Sequence, residues 1–194
     1  MNISPSDLRE PFYEGSVQRL FAVPGDDSVM VTQTTSRGSV FDVGALFEIE
    51  GQDVNRALFR HILYTRMGDP ATWQRVKKAI EDAPELDPAY RSELLTGLLE
   101  TCCAKGARTH HEGMLDAVTG EVDRTGVPAN PSACNVVRKY QILKPARTEF
   151  LGAHLFDYSQ FAHEDGFVVP LEYIVRFGIT SASSVYRKYT AMDE

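Results

Sequence analysis

Along the first fifty positions, hydrophobic and polar residues recur with a period of two, the spacing of strands. Ser16-Val17-Gln18-Arg19-Leu20-Phe21-Ala22-Val23 and Ser28-Val29-Met30-Val31-Thr32 flank Pro24-Gly25-Asp26-Asp27. Those four residues favour a tight turn, so the pair predicts a β-hairpin. Ser39-Val40-Phe41-Asp42-Val43-Gly44 and Leu46-Phe47-Glu48-Ile49-Glu50-Gly51 read as a third and a fourth short strand, making the N-terminal quarter an antiparallel sheet. The period then lengthens. After Asp53, which is expected to cap a helix, Val54, Ala57, Leu58, Ile62 and either Leu63 or Tyr64 recur three to four apart. His61 lies beside that stripe, where packing is the ordinary role of a lone histidine. Asp69-Pro70 and Asp87-Pro88 are each a cap followed by proline at the first helical position. The first opens a segment with Trp73, Val76 and Ile80 in line. The second opens a helix with Tyr90, Leu94, Leu98 and Cys102 on one face and Leu95 and Leu99 beside them, closed by Gly106. Residues 69–105 therefore predict a helical hairpin packed on the sheet.

Beyond it, the chain from Thr109 to Gly126 is polar and turn-rich, and Pro128-Ala129-Asn130-Pro131 predicts loop. Asn135 to Leu143 reads as another strand, and residues 150–161 are aromatic-rich and ambiguous. Near the C-terminal end, Leu171, Tyr173 and Val175 alternate with Glu172, Ile174 and Arg176, and the segment runs into Ile179-Thr180-Ser181-Ala182-Ser183-Ser184. That is a strand feeding a loop of hydroxyl residues. The fold class expected is α+β, an N-terminal antiparallel sheet with packed helices, in a single domain over 1–194. Its parts are the sheet and first helix (1–66), the helical segment (69–105) and a second α+β part (106–194).

This C-terminal strand and loop carry the candidate chemistry. An arginine fork can bind a phosphate or carboxylate through two hydrogen bonds, and serine hydroxyls with loop amides can complete the cradle. Arg176, Ser183 and Ser184 thus read as an anion site, with an ordinary strand whose Arg176 is solvated or paired with Glu172 as the alternative. At the other end of the chain, Gly15 stands at the entry of the first strand, where a missing Cβ lets backbone approach a ligand, although a plain hairpin needs no ligand.

Composition narrows the classes. The chain has 194 residues, 43% hydrophobic and 24% charged, enough for one buried domain, and no apolar run approaches the roughly 18 residues of a membrane span. The first residues have neither a basic start nor an apolar core, so a cytoplasmic protein is expected. A net charge of -7 without dense Lys and Arg clusters argues against nucleic-acid binding. Cys102, Cys103 and Cys134 have neither disulfide nor metal-site spacing and are expected as reduced core thiols. His110, His111, His154, Asp157 and His163 lack H-x-x-x-H or H-E-x-x-H spacing, so no metal site is expected from them.

Taken in order, several stretches resemble the SAICAR synthetase (phosphoribosylaminoimidazole-succinocarboxamide synthase) family. They are Tyr13-Glu14-Gly15-Ser16-Val17-Gln18-Arg19, Val40-Phe41-Asp42, Gly51 with Asn55, Gly106-Ala107-Arg108-Thr109-His110 and Pro170-Leu171-Glu172-Tyr173-Ile174-Val175-Arg176. That family, which serves purine biosynthesis, joins aspartate to a phosphoribosyl aminoimidazole carboxylate using ATP and magnesium. Its fold is α+β, with the nucleotide under an N-terminal antiparallel sheet. The resemblance implies that Gly15, Ser16, Arg19 and Glu172 serve the nucleotide, and that Arg176, Ser183 and Ser184 hold the phosphate or carboxylate of the imidazole substrate. Amide formation through an acyl phosphate would need such charge-neutralising donors in line.

The departures from the family pattern are specific. Ser16 stands where family members usually carry lysine, Arg37 where an acid is usual, Gln52 in place of the lysine after Gly51, and Ala182 for a loop glycine. Residues 69–105 look like an insertion, and the family's further subdomain of metal- and substrate-binding acids has no counterpart before Glu194. The resemblance therefore implies either a shortened ligase or a partial paralog that keeps an anion pocket without ATP chemistry, in a homo-oligomer or with a second subunit. An unrelated α+β domain is the third reading. The expected partners are small molecules: a nucleotide, an amino acid and a heteroaromatic carboxylate.

Overall fold

The structure is a computed structural model that describes residues 2–3, 8–39 and 44–168. It comprises two compact units, Met1–Lys139 and Tyr140–Glu194. In the first, β1 (Tyr13–Glu14), β2 (Gln18–Val23) and β3 (Asp26–Thr34) follow one another antiparallel, and β4 (Arg37–Ser39) pairs with β5 (Ala45–Glu48) in a separate ribbon. Helices α1 (Gln52–Gly68), α2 (Pro70–Glu81), α3 (Pro88–Leu94) and α4 (Leu98–Lys105) come next, then β6 (His111–Asp116), β7 (Val122–Asp123) and β8 (Pro131–Arg138). The main sheet has the order β1-β2-β3-β8-β6-β7, with every neighbouring pair antiparallel. The α+β class and the N-terminal antiparallel hairpin are thus present.

Cross-strand register sorts the side chains onto two faces. Phe21, Val23, Val29, Val31, Leu115, Cys134 and Val136 form the buried cluster on one face, with Ile3 among them and Leu8 and Val122 packed against it. Each fully buried aliphatic side chain there contributes about 1.5–3 kcal/mol. The opposite face carries Thr32, Asn135 and Met114 in mutual register and receives α1. Only Ala57 and His61, one turn apart, are fully buried on that helix, and Asn135 Nδ2 donates to the Ala57 carbonyl at 3.1 Å.

The structure corrects several expectations. Asp53 lies in the first turn of α1 while Gly51, at φ 74°, is the N-cap without a side-chain cap, because glycine takes that left-handed conformation without strain. Ile62, expected inside, is exposed, and of the alternatives Leu63 and Tyr64 it is Leu63 that is exposed and Tyr64 half-buried. The single helix expected after Asp87 is two, broken at Gly97 (φ 65°, ψ -113°), and the face that it buries is Leu99 with Cys102, while Leu98 is 79% exposed. The polar stretch after Thr109 holds two strands, β6 and β7, and Pro131, expected in a loop, opens β8, which ends at Arg138. The caps at Asp69 and Asp87 form as expected, with Ala71 N donating to Asp69 at 2.9 Å and Ala89 N and Tyr90 N to Asp87 at 2.9 and 3.1 Å.

The helices α2, α3 and α4 leave and rejoin the sheet at one point. Ala107 N donates to the Met67 carbonyl at 2.8 Å, Trp73 Nε1 donates to the same oxygen at 2.6 Å, and Gly106 (φ 73°) lies against Gly68. In the second unit, β9 (Ala146–Phe150) and β10 (Ala153–Asp157) pair across a Leu151-Gly152 turn with positive φ at both residues, as two-residue hairpins require. Among the described residues, no helix is long and apolar enough to cross a membrane.

A Cβ on Gly106 would lie 2.0 Å from the Gly68 carbonyl oxygen. Gly106→Ala therefore combines a backbone clash with left-handed strain and is expected to cost about 2–4 kcal/mol, read as a lower denaturant midpoint. An unchanged midpoint would show that the neck between α1 and α4 is not closed as described.

Candidate functional site

The β1–β2 hairpin is where expected site residues and unexpected ones meet. Glu14 and Arg19 face each other across the strand pair, and Gly15 N closes the turn by donating to the Gln18 carbonyl at 2.8 Å. One carboxylate oxygen, Glu14 Oε1, accepts from Arg37 Nη2 at 2.7 Å and from Arg19 Nη2 at 3.1 Å. Those two hydrogen bonds, Arg37's the larger, hold the Glu14 carboxyl below the usual carboxylate range. Helix α1 adds two more arginines. Arg56 Nη1 donates to the Arg37 carbonyl at 3.1 Å, and Arg60 donates from Nη1 at 2.7 Å and Nη2 at 2.9 Å to Gln18 Oε1 once that amide is turned to face it. Three guanidiniums, those of Arg19, Arg37 and Arg60, thus meet at the hairpin, and Arg56 holds the backbone of β4.

Beside them lies a recess of about 190 Å³, lined by Arg19, Gln33, Thr34, Thr35, Ser36, Arg37, Glu48 and Asp53. Arg19 Nε, Thr34 Oγ1 and Thr35 Oγ1 are buried at its walls with no hydrogen-bond partner among the described residues. Small-molecule sites usually enclose about 300–1,000 Å³, so the recess alone is the size of a phosphate group, not of a nucleotide. A groove of about 550 Å³ runs along the outer face of α1 from Gln52, Asn55 and Arg56 past Phe59 and Arg60 to Leu63 and Tyr64. Its polar end shares the first turns of α1 with the recess, and its far end is apolar. The uncapped N-terminal amides of α1 add a positive dipole end.

Of the residues singled out in the sequence, Gly15, Ser16 and Arg19 are together in this hairpin, with Ser16 half-buried in its turn. Glu172, Arg176, Ser183 and Ser184 lie outside the described residues. Sequence reasoning overlooked Arg56 and Arg60 and saw Arg37 only as a departure. The one signal available was the i, i+4 spacing of Arg56 and Arg60 on a helix face.

A second polar cluster lies around His61, midway along α1. His61 Nδ1 is 2.8 Å from His111 Nε2, and His61 Nε2 is against the Gly126 carbonyl, which can only accept. With both rings neutral, His61 therefore carries its proton on Nε2 and accepts from His111 Nε2–H. That leaves His111 Nδ1 as an acceptor, buried and with no hydrogen-bond partner among the described residues. His111, but not His61, lines a cavity of about 580 Å³ together with Tyr64, Arg66, Asp69, Glu112 and Arg124. His111 Nδ1 is buried, and through its hydrogen bonds the pair ties α1, β6 and the loop at Gly126 together. Burial first, and then the neighbouring His61, His110 and Arg60, lower His111 to about 4. Among the described residues no group of three or more His, Cys, Asp or Glu is arranged to hold a metal ion. Burial pushes the Cys134 thiol up to about 11, so it is unreactive.

No protein family, curated protein or solved structure matches the chain.

The histidine tie gives a sign for acid stability. The unfolded ring titrates at 6.5 and the folded one at about 4, so between those values the unfolded chain binds the extra proton. Stability is expected to be fully present above pH 6.5 and to fall as pH drops toward 4, by on the order of 1–2 kcal/mol after allowance for the half-buried ring. His111→Gln should flatten that slope in denaturant titrations at pH 4.5 and 7.5. An equal slope would assign the acid sensitivity elsewhere.

Proposed function

We propose that the protein is an ATP-dependent ligase resembling SAICAR synthetase. It would form an amide between an amino acid such as aspartate and a heteroaromatic carboxylate by way of an acyl phosphate. The observation that carries this reading is that Arg19, Arg37 and Arg60 meet at the hairpin that the resemblance assigns to the nucleotide phosphates, with Arg56 donating to the backbone of the adjoining β4. Clustered arginines supply the fixed positive charge that phosphoryl transfer relies on. The recess fits one phosphate in size, and the separate groove along α1 gives an apolar floor at Phe59, Leu63 and Tyr64 for a flat ring.

ATP would supply the phosphoryl group that activates the carboxylate, and Mg²⁺ would supply charge that offsets the negative charge of the phosphates. Mg²⁺ commonly rests on one or two carboxylates plus phosphate oxygens and water. Glu48 and Asp53, both at the recess, are the acids placed for that role. Arg19 and Arg37 would orient the phosphates, while Arg176, Ser183 and Ser184 remain assigned to the substrate anion by the resemblance alone.

A second reading, an anion-binding module or partner subunit without phosphoryl transfer, is favoured by one fact. The arginines at the hairpin already hold Glu14, and Ser16 supplies no cation.

Magnesium ATP distinguishes the two. The ligase is expected to show a higher melting temperature with Mg²⁺ and ATP together, and the module to show none. Ser16→Lys should tighten ATP about tenfold by calorimetry, since one charge-assisted contact is worth roughly 1.5–3 kcal/mol. No binding by either chain would mean that the hairpin does not cover a nucleotide.

A further inference from the structure

Resting on the reading of the hairpin as a phosphate site, we propose that Glu14 is a resident anion. Its carboxylate occupies the seat between Arg19 and Arg37 that a ligand phosphate takes, and it is displaced when the ligand binds. The geometry is that of a phosphate oxygen between two guanidiniums: a single oxygen, Glu14 Oε1, receives an Nη2–H from each arginine at 2.7 and 3.1 Å.

The two sides of this contact are unequally held. Glu14 belongs to the two-residue edge strand β1, and its side chain is 42% exposed. Arg37 is 23% exposed, and its carbonyl is gripped by Arg56 from α1. Arg19 projects from β2, paired on both sides by β1 and β3. The acid can therefore turn into water at little cost; Arg19 is exposed to a similar degree, at 40%, while Arg37, the most buried of the three side chains, stays at the recess. The unpartnered Thr34 and Thr35 hydroxyls beside them are groups that Glu14 does not satisfy and that a ligand with more oxygens could reach after a small shift.

Such a seat selects by charge. A monoanion competes with Glu14 on equal terms and at lower effective concentration, whereas a triphosphate brings several oxygens to the same arginines. Glu14 thus keeps the arginines preorganised and apart, and sets a threshold that weakly charged anions fail.

The probe is inorganic tripolyphosphate, titrated calorimetrically into the full chain at low ionic strength. Wild type is expected to bind it, Glu14→Gln to bind about tenfold tighter, and Arg37→Gln to lose most binding. If wild type binds and Glu14→Gln binds equally or more weakly, Glu14 is a plain cross-strand ion pair; the resident-anion role is then overturned while the phosphate site stands. If neither chain binds, the phosphate site itself is wrong and the role of Glu14 falls with it. Should Glu14→Gln fail to fold, Glu14→Asp, too short to span both arginines, is expected to give the same gain in affinity, and no gain would overturn the role.

Discussion

Helix α1 is fastened to the sheet by polar contacts, and the arrangement around the hairpin depends on that fastening. Ala57 and His61 are its only fully buried residues among those described, and the partners opposite are Asn135 and His111. A methyl and a flat ring let the helix approach closely, but apolar contact alone would leave it free to roll. Hydrogen bonds from Asn135 to the Ala57 carbonyl and between the two imidazoles remove that freedom. With the rotation set, Arg60 is aimed at the hairpin, Arg56 at the β4 backbone and Phe59 at solvent. The charge pattern of the candidate site is therefore inherited in part from Asn135 and His111, which lie far from it in sequence.

What could be read from the chain beforehand was local. The Pro24-Gly25 turn and the Asp69 and Asp87 caps each lie within four residues, and each formed as its chemistry dictates. Strand β6 could not be read, because His111-Glu112-Gly113-Met114-Leu115-Asp116 has only two aliphatic residues and a glycine at its centre. That glycine is required by β7, whose Asp123 carbonyl approaches to 2.3 Å of where a Cβ would lie. The neighbour that explains the residue is supplied by the fold. Similarly, the leucine spacing after Asp87 is sound helix periodicity, but Gly97 takes a conformation that ends one helix and starts another.

The candidate site was legible to the same extent. Arg19 stood out because it shares a short stretch with Gly15. Arg37 and Arg56 belong to two other elements, and nothing in their spacing announces that one grips the backbone of the other. Glu14 was visible only as a letter before a glycine. That it binds two arginines through one oxygen is a property of β1 crossing close to β4.

The three helices between α1 and β6 enter and leave through a doorway one residue wide, where Gly68 touches Gly106 and Met67 binds Ala107. Chain geometry at that threshold is almost continuous without them, so no sheet hydrogen bond has to be rethreaded if the excursion lengthens, shortens or disappears. The module is topologically an ornament on the sheet scaffold, and its history can differ from that of the strands on either side.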